Sequence, residues 1–428
     1  MKSVFLRIAL VLMFSGIMAM NAYSQVNYLK LSGQYRARTE FRNGYRTLMT
    51  DSSKPAFFVG QRARLMFDYK KENIQLYTSV QDARTWGDEE QRKDLGGLQV
   101  NELWMELKLK RGFALKMGRQ ELVYDDHRLF GNLDWANLTI SHDALLLKYY
   151  NENNKFRWHL GAAFNQVGEP IFGTNYALKN YKALGFSYIK KEFDKGHTFS
   201  AIAIVNGMNS STPGSNLLKA TLTIGPLYNY SANNWRTTLG AYFQGGKIES
   251  NHNVCAFMIN AYAERKIETV SLGLGGDYLS GNNDRVNVGS ESNNFNTLYA
   301  TNHKFYGYMD YFLSIPADAK QRGLVDLYAR VKHEANKKVS TTLDLHYFSL
   351  ANENNLGVNK IKCPLGAEAD LLIDYTPSPI IHLQFGYSLL FATRNMEFIK
   401  GGNANELNTW AYLMLKVSPT LLYNEFKK

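Results

Sequence analysis

The most constraining feature of this sequence is a two-residue alternation of apolar and polar side chains, which recurs from the N-terminal region to the C-terminus. The first such segment, residues 28–42, places Leu, Tyr and Phe on one face and mainly charged side chains on the other. The same alternation is present at 56–69, 323–334 and 408–417. Because successive side chains of a β-strand point to opposite faces, the pattern predicts strands with one apolar and one polar face.

The length of these segments indicates what the apolar face contacts. They run for roughly 9 to 12 residues, the length that a tilted strand needs to cross a bilayer. Tyr and Trp gather near segment ends, and tight turns alternate with long polar loops, as in outer-membrane barrels. The fold class predicted is therefore all-β, a transmembrane antiparallel β-barrel with inward-folded loop segments.

We place about eighteen strands, and barrels of this size leave an aqueous lumen. The predicted strands are residues 28–42, 56–69, 74–84, 98–109, 113–121, 142–150, 155–166, 180–190, 196–206, 216–227, 234–246, 252–265, 269–280, 323–334, 338–349, 364–375, 380–392 and 408–417.

The N-terminus predicts the compartment. Lys2 and Arg7 precede an apolar run, and Ala22 and Ser24 are small residues at the positions that a signal peptidase reads. We predict a signal peptide at 1–24 and a single barrel domain at 25–428. Together with the barrel pattern, this places the protein in the outer membrane of a Gram-negative bacterium.

The charge balance narrows the range of partners. The formal net charge is +11, and removal of Lys2 and Arg7 with the leader lowers it to +9. A basic excess of this kind suits nucleic acid, an anionic membrane surface or an anionic ligand. There is no block of Lys and Arg and no RNA-binding motif. Nucleic acid is therefore excluded as a partner, and an anionic solute or surface remains.

The predicted inward face is basic on one side of the barrel and acidic on another. The first two strands contribute the predicted pore-lining residues Lys30, Arg36, Arg38, Arg42, Arg62 and Arg64. Later strands contribute Asp326 and Arg330 together with Asp344, Glu368 and Asp370. Arginines on one wall can pass carboxylates from one to the next, because the guanidinium group is planar and keeps its charge. The alternative is that these arginines pair with inward acids and stabilise the wall.

Residues 118–143 form a connection too long and too rich in Asp, His, Arg and Trp to be a passive turn. Loops of this length in a compact fold are usually functional or disordered, and the aromatic and branched residues here argue against disorder. We expect the segment to fold into the space enclosed by the strands. Its candidate constriction residues are Gln120, Asp125, Asp126, His127, Asp134, Trp135 and Asp143, and Arg119 and Arg128 are further candidates for the pore lining.

Two other features of the chain bear on its chemistry. Residues 303–312 are too aromatic and too interrupted by Gly for an ordinary strand, so they are a second candidate for a plug. Asp125, Asp126 and His127 are adjacent, but neighbouring side chains in an extended chain diverge and no second His cluster is present. We predict no metal site, no cofactor and no catalytic residue.

The stretch GRQELVYDDHRLFGNLDWANLTISHDALLLKY, the later HKFYGYMDYF and the C-terminal WAYLMLK are similar to the signature of the alginate export family of outer-membrane barrels. The resemblance extends over essentially the whole mature chain. It implies an eighteen-stranded, monomeric barrel with an arginine-rich, anion-selective conduit for an acidic polysaccharide, narrowed by loops. The residues carried over by motif are Arg119, Gln120, Asp126, Arg128, Trp135 and Asp143.

The predicted function is therefore a channel for an anionic (poly)saccharide or for small anionic solutes, with no covalent step. Outer-membrane lipid surrounds it, and periplasmic export components are further candidate partners. Two alternatives remain open. A barrel enzyme acting on lipid or glycan would need a nucleophile and base at the lipid-facing rim, and no Ser lies in a convincing Ser/His/Asp arrangement. The other alternative is a structural barrel with an occluded lumen.

Overall fold

The computed structural model describes residues 26–92, 97–174, 180–209, 218–249, 252–284, 291–354 and 360–426. The predicted signal peptide, 1–24, lies outside this range. The strands are β1 (Asn27–Asn43), β2 (Ala56–Lys71), β3 (Ile74–Thr85), β4 (Gln99–Lys108), β5 (Phe113–Gln120), β6 (His142–Asn151), β7 (Phe156–Phe164), β8 (Tyr181–Glu192), β9 (His197–Asn209), β10 (Leu218–Ala232), β11 (Trp235–Glu249), β12 (His252–Ile267), β13 (Val270–Leu279), β14 (Glu291–Ser292), β15 (Leu324–Glu334), β16 (Val339–Leu350), β17 (Pro364–Ser378), β18 (Ile381–Ala392), β19 (Asn408–Val417) and β20 (Thr420–Phe426).

The sheet closes on itself through β1. One edge of β1 pairs with β2, and the other pairs with β19 near the loop end and with β20 near the N-terminus. Between β19 and β20 the ladder is interrupted at Pro419, whose carbonyl oxygen accepts a hydrogen bond of 3.0 Å from the Gly33 N–H. The two segments therefore act as one barrel strand, and β14 is a two-residue strand beside β12.

Eighteen antiparallel strands thus close the barrel across the described residues, which confirms the predicted fold class. Each of the predicted strands overlaps one in the structure, with small differences at the ends. The segment 420–426 was not predicted as strand. The reason is Pro419, which cannot donate to a ladder and therefore reads as a strand terminator.

The outer wall is apolar. Leu65, Leu103 and Leu274 are exposed side chains on the outward face of their strands, and Leu274 is 69% exposed. Cys255 is exposed on the same face as Phe257 and is a free thiol. A continuous apolar band of this kind contacts lipid, and a closed barrel satisfies every strand edge within the bilayer. This places the protein in the outer membrane.

The two ends of the barrel differ in their connections. At one end, which we call the turn end, adjacent strands are joined by two or four residues. The turns Glu72–Asn73 and Glu268–Thr269 begin with a residue at positive φ, 51° and 52°, the conformation that suits the twist of a hairpin. The other end, the loop end, carries the long connections, which include the helix α1 (Arg394–Lys400). In outer-membrane barrels short turns face the periplasm and long loops face outward.

The hydrophobic core lies inside the barrel near the loop end. Met258, Leu279 and Phe348 point inward from their strands and are 0% exposed. The expectation of a polar inward face throughout is therefore wrong in this region. The inward apolar side chains pack against loops that enter the lumen, so they are removed from water. Within the described ranges, no helix is long and apolar enough to cross a membrane.

Candidate functional site

Two loops occupy the lumen. Loop A, residues 121–141, leaves β5, and loop B, residues 293–323, precedes β15. Phe130 in loop A and Tyr306 in loop B are 0% and 1% exposed. The structure therefore places both segments singled out in the sequence inside the barrel, where they pack against inward side chains of the strands.

The backbone of loop A contacts arginines of β1. The Arg36 guanidinium group donates to the carbonyl oxygens of Asp134 and Ala136, at 2.5 and 2.7 Å. The Arg38 guanidinium group donates to the Trp135 carbonyl oxygen at 2.7 Å. Three successive carbonyl oxygens therefore point toward the basic wall and hold the loop there, since hydrogen bonds from a charged donor are stronger than those between neutral groups.

Arginines of β2 contact the same loop. Arg62, 0% exposed, donates to Asp134 Oδ1 at 2.8 Å and to Gln34 Oε1 at 2.5 Å. Arg64 donates to Gln81 Oε1 at 2.7 Å and lies 4.0 Å from Asp134 Oδ1. Asp134 is thus a carboxylate of loop A that faces this wall and pairs with it.

We call Arg36, Arg38, Arg42, Arg62 and Arg64 the arginine wall. Among the described residues, the ion pairs of these five guanidinium groups involve two carboxylates, Glu40 and Asp134. Glu40 lies between Arg38 and Arg42 at 2.8 Å from each. The wall therefore keeps an excess of positive charge beside loop A. Lys30 lies nearer the turn end of β1, is half-buried and pairs in register with Asp68 on β2.

Loop B contacts the acidic wall, which we define as Asp277, Asp326, Asp344, Glu368 and Asp370, all buried and inward. The Met309 N–H donates to Glu368 at 2.8 Å, and the Tyr308 N–H donates to Asp370 at 3.3 Å. The Tyr308 hydroxyl donates to Asp344 at 3.3 Å. Carbonyl oxygens of loop A thus face guanidinium groups, whereas N–H groups of loop B face carboxylates.

Basic side chains partly neutralise the negative charge of the acidic wall. Arg330 donates to both oxygens of Asp344, at 2.6 and 2.7 Å, and His346 Nδ1 lies 2.9 Å from Asp326 Oδ1. Asp326 is 0% exposed. The predicted pore-lining residues Asp326 and Arg330 therefore lie on the inward face, and each is paired with a neighbouring side chain of the wall.

Gly307 sets how closely loop B approaches Glu368. Its φ is +76°, and a Cβ built there would lie 2.6 Å from Glu368 Oε1. We expect Gly307→Ala to displace loop B, because strain and collision act together. Hydrogen exchange of the loop B amides should accelerate by more than about tenfold, a change of about 1.4 kcal/mol in the free energy of local opening.

Gly87→Ala is the matched control for this prediction. Gly87 has a similar φ of +80°, but a Cβ there would meet nothing within 4 Å. The Gly87→Ala variant therefore adds the conformational strain without the collision. Equal exchange of the loop B amides in both variants would show that close approach at Gly307 does not position the loop.

The two loops are joined to each other by backbone hydrogen bonds. The Gly131 N–H donates to the Tyr299 carbonyl at 2.9 Å, and the Tyr299 N–H donates to the Leu129 carbonyl at 3.0 Å. The rings of Phe130 and Tyr299 stack with centroids 5.7 Å apart. Loops A and B therefore form one packed unit across the lumen.

Trp135 links this unit to the arginine wall. The Arg38 guanidinium carbon lies 4.0 Å from the centroid of the indole ring, and the imidazole of His303 in loop B stacks on the ring at 4.4 Å. His303 Nδ1 lies 2.6 Å from Asp310 Oδ1. Although burial opposes the change, His303 and the hydroxyl of Tyr45 lower the pKa of Asp310.

The first loop also reaches inward, which the sequence did not indicate. The Arg46 N–H donates to the Met309 carbonyl at 3.0 Å, and the Tyr311 hydroxyl donates to the Gly44 carbonyl at 2.5 Å. Tyr45 donates its hydroxyl to Asp310. These contacts join residues far apart in the chain, and no local pattern in 43–55 signals them.

Arg128 connects loop A to the opposite wall. Its side chain is 4% exposed, donates to Asp126 at 2.9 Å and forms an ion pair with Asp277 on β13. Its guanidinium carbon lies 4.0 Å from the ring centroid of Phe305. The predicted pore-lining Arg128 is thus a buried anchor of the loop, and Asp126 is its local partner.

Asp125 and His127 also hold loop A. Asp125 accepts hydrogen bonds from the Tyr188 and Ser200 hydroxyls at 2.7 and 2.8 Å. Burial raises the pKa of Asp125 and lowers the pKa of His127. The His127 carbonyl accepts a bond of 3.0 Å from the Thr301 N–H of loop B. Among the described residues, no group of three or more His, Cys, Asp or Glu is placed to hold a metal ion.

Arg119 and Asp143 require a correction. They stand opposite each other on β5 and β6 and form an ion pair of 3.6 Å on the outer face, with side chains 42% and 62% exposed. The next residue along β5, Gln120, is the one that points inward; it is buried and donates to the Ala144 carbonyl at 3.0 Å. The motif placed Arg119 in the lumen, whereas strand alternation places it on the outer rim.

The barrel is similar to solved outer-membrane porins of Pseudomonas. OccK8 (OprE) of Pseudomonas aeruginosa matches with a TM-score of 0.61 at 11% identity, covering 92% of this chain and 98% of its own. A BenF-like porin of Pseudomonas fluorescens Pf-5 matches with a TM-score of 0.61 at 11% identity, covering 92% and 99%. OpdK of Pseudomonas aeruginosa matches with a TM-score of 0.60 at 10% identity, covering 92% and 98%. These likenesses show a shared porin fold.

Residues 27–164 match the alginate export family. This range contains β1–β7, the arginine wall and loop A, and it confirms the resemblance that the motifs indicated. Loop B and the C-terminal strand lie beyond the matched range. No curated protein matches the chain. The protein is therefore an outer-membrane barrel with the fold of a porin, and its N-terminal third carries the alginate export pattern.

Proposed function

We propose that the protein passes anionic solutes across the outer membrane, either small carboxylates or an acidic polysaccharide chain, along the arginine wall. The observation that carries the proposal is the charge imbalance of that wall, where the ion pairs of the five guanidinium groups involve, among the described residues, only the carboxylates of Glu40 and Asp134. Fixed charges lining a pore select the ions that pass. An excess of guanidinium groups favours anions, and their planar geometry suits carboxylates.

The comparisons support the same class of solute. The family matched by residues 27–164 is named for export of alginate, an acidic polysaccharide. OpdK, which shares the fold, has been crystallised with vanillate, an aromatic carboxylate. Both compounds are anions that carry carboxylate groups.

The proposed mechanism is passive. The arginine wall lowers the energy of an anion within the lumen, and loops A and B set the width of the passage. Transport follows the concentration gradient or the push of a growing chain from the periplasm, and no covalent step is involved. We further propose a monomer surrounded by outer-membrane lipid, with periplasmic export components as partners.

Reversing the charge of two arginines tests the proposal. In a planar bilayer under a salt gradient, the wild-type channel should show a reversal potential on the anion-selective side. Arg62→Glu combined with Arg64→Glu exchanges two positive charges for two negative ones beside loop A. The anion-to-cation permeability ratio should therefore fall by at least about threefold and can invert.

Arg119→Gln is the matched control for this experiment. It removes a positive charge that lies on the outer face of the same region, so selectivity should stay as in the wild type. A wild-type channel without anion preference, or a double variant that keeps the wild-type ratio, would contradict the proposal. Circular dichroism and heat-modifiable gel migration should confirm that each variant is folded.

A structural barrel with an occluded lumen is the second candidate. It is favoured by the packing of loops A and B, whose residues Phe130 and Tyr306 are at most 1% exposed inside the barrel. Absence of conductance in both wild type and the double variant would support this role.

A further inference from the structure

The net charge of the protein is concentrated at one end of the barrel. The two ends differ in the number of charged residues in their connections, where each connection includes two strand residues on either side. At the turn end, thirteen Lys and Arg residues stand against six Asp and Glu residues. At the loop end, the same count over the described residues, without loops A and B inside the lumen, gives twelve of each sign. The basic excess of the mature chain is therefore carried mainly by the turns.

The basic residues form a ring rather than a patch. They occur in seven of the eight turns. The basic residues are Lys70, Lys71, Lys108, Lys110, Arg111, Lys155, Arg157, Lys191, Lys195, Arg236, Lys266, Lys337 and Lys338. We call this set the basic collar.

Several collar side chains face the mouth of the lumen. Arg236 pairs with Glu264, at 3.2 Å, from the inward face of neighbouring strands. Arg157 lies 3.5 Å from Glu192. Arg236 and Lys266, with Lys332 of β15, line a cavity of about 220 Å³ at the turn end. The collar therefore surrounds the opening, and part of it points inward.

We infer that the basic collar gathers anionic solutes at the periplasmic mouth, so that anions enter this channel faster from the turn end than from the loop end. The inference rests on the proposed function, because it concerns the same anionic solutes, and it adds the side from which they are captured. Charges of one sign around an opening raise the local concentration of counter-ions and their rate of entry. A neutral loop end has no such effect.

The ring arrangement favours a solute over a protein partner. A stable protein interface needs a contiguous surface of about 800 Å² on each partner. The collar is instead distributed around a central opening, where its fields add along the axis of the lumen. At physiological ionic strength the screening length is about 8 Å, so collar charges act on a solute at the mouth but not at the arginine wall.

The test measures how fast a polyanion blocks the channel from each side. Trigalacturonate is added to one chamber or the other of a planar bilayer of zwitterionic lipid, with all channels inserted in one orientation. The association rate of block should be several-fold higher from the turn side in about 0.1 M salt. The difference should shrink at about 1 M salt, where the screening length is about 3 Å.

Two variants distinguish the effect of the collar from the effect of total charge on the block rate. Each variant loses four positive charges, one at the turn end and the other at the loop end. Changing Lys110, Arg111, Lys337 and Lys338 to Gln removes four exposed collar charges. Changing Lys54, Arg92, Lys360 and Lys362 to Gln removes four charges from the loop end. The first variant should lose the turn-side advantage and keep anion selectivity, and the second should keep both.

Equal block rates from the two sides, or a collar variant that keeps the wild-type advantage, would overturn the inference while leaving the proposed function intact. Loss of the advantage when anionic phosphatidylglycerol is added to the bilayer would assign the collar to lipid headgroups and also overturn it. Persistence of the advantage in that lipid supports capture of solute. A wild-type channel without anion selectivity would contradict the proposed function itself.

Discussion

Replacing Trp135 by alanine should raise the fraction of time that loop A is detached from the arginine wall. The indole ring lies between the Arg38 guanidinium group at 4.0 Å and the His303 imidazole at 4.4 Å. A cation–π contact and an aromatic stack each contribute about 1 kcal/mol beyond the apolar area that they bury. With that area included, a loss of about 3 kcal/mol is expected, which corresponds to on the order of a hundredfold change in the equilibrium.

Single-channel recording at fixed voltage measures this effect as longer and more frequent high-conductance episodes. Trp135→Phe should give an intermediate result, because a phenyl ring retains part of the stack. Trp86→Ala is the control, since this Trp is 56% exposed on another connection and its indole N–H donates to Gln61 on β2. Traces of Trp135→Ala that match the wild type would show that the indole does not hold the loop.

Replacing Arg128 by methionine should release loop A from the acidic wall. Asp277, its partner on β13, has a side chain 0% exposed, so the variant would leave a buried carboxylate without its cation. Removing one member of a buried ion pair typically costs about 3–5 kcal/mol. Amide exchange in residues 124–131 should therefore accelerate by on the order of a hundredfold or more.

The double variant Arg128→Met with Asp277→Asn separates the loss of the ion pair from the cost of burying an unpaired carboxylate. It removes both charges and should recover much of the exchange protection, because a neutral amide is less costly to bury than a carboxylate. Asp277→Asn alone should be milder than Arg128→Met, since Arg128 keeps Asp126 at 2.9 Å. Equal exchange rates in wild type and Arg128→Met would show that this ion pair does not hold loop A.

The strands of this protein could be predicted from local pattern. In β1 and β2 the two-residue alternation predicts an inward side for Arg36, Arg38, Arg62 and Arg64, and in the structure these side chains lie inside the barrel. The alternation works because lipid on one side imposes an apolar face on every strand. Where the motif was followed instead of parity, at Arg119, the assignment was wrong.

The contents of the lumen could not be predicted in the same way. Met258 and Phe348 point inward and are fully buried, and their environment depends on loop segments distant in the chain. A periodic pattern records which side of a strand a residue occupies, but it carries no information about what fills that side. These residues are buried because loops A and B fill the lumen beside them.

The sequence by itself determined the barrel and its apolar outer wall, because both depend on residues close together in the chain. Only the tertiary structure decided which groups the charged walls contact. The arginine wall faces carbonyl oxygens of loop A, and Glu368 and Asp370 accept N–H groups of loop B. These bonds join residues about sixty to a hundred positions apart, and such pairings are selected by the packing of the whole chain rather than by any local preference.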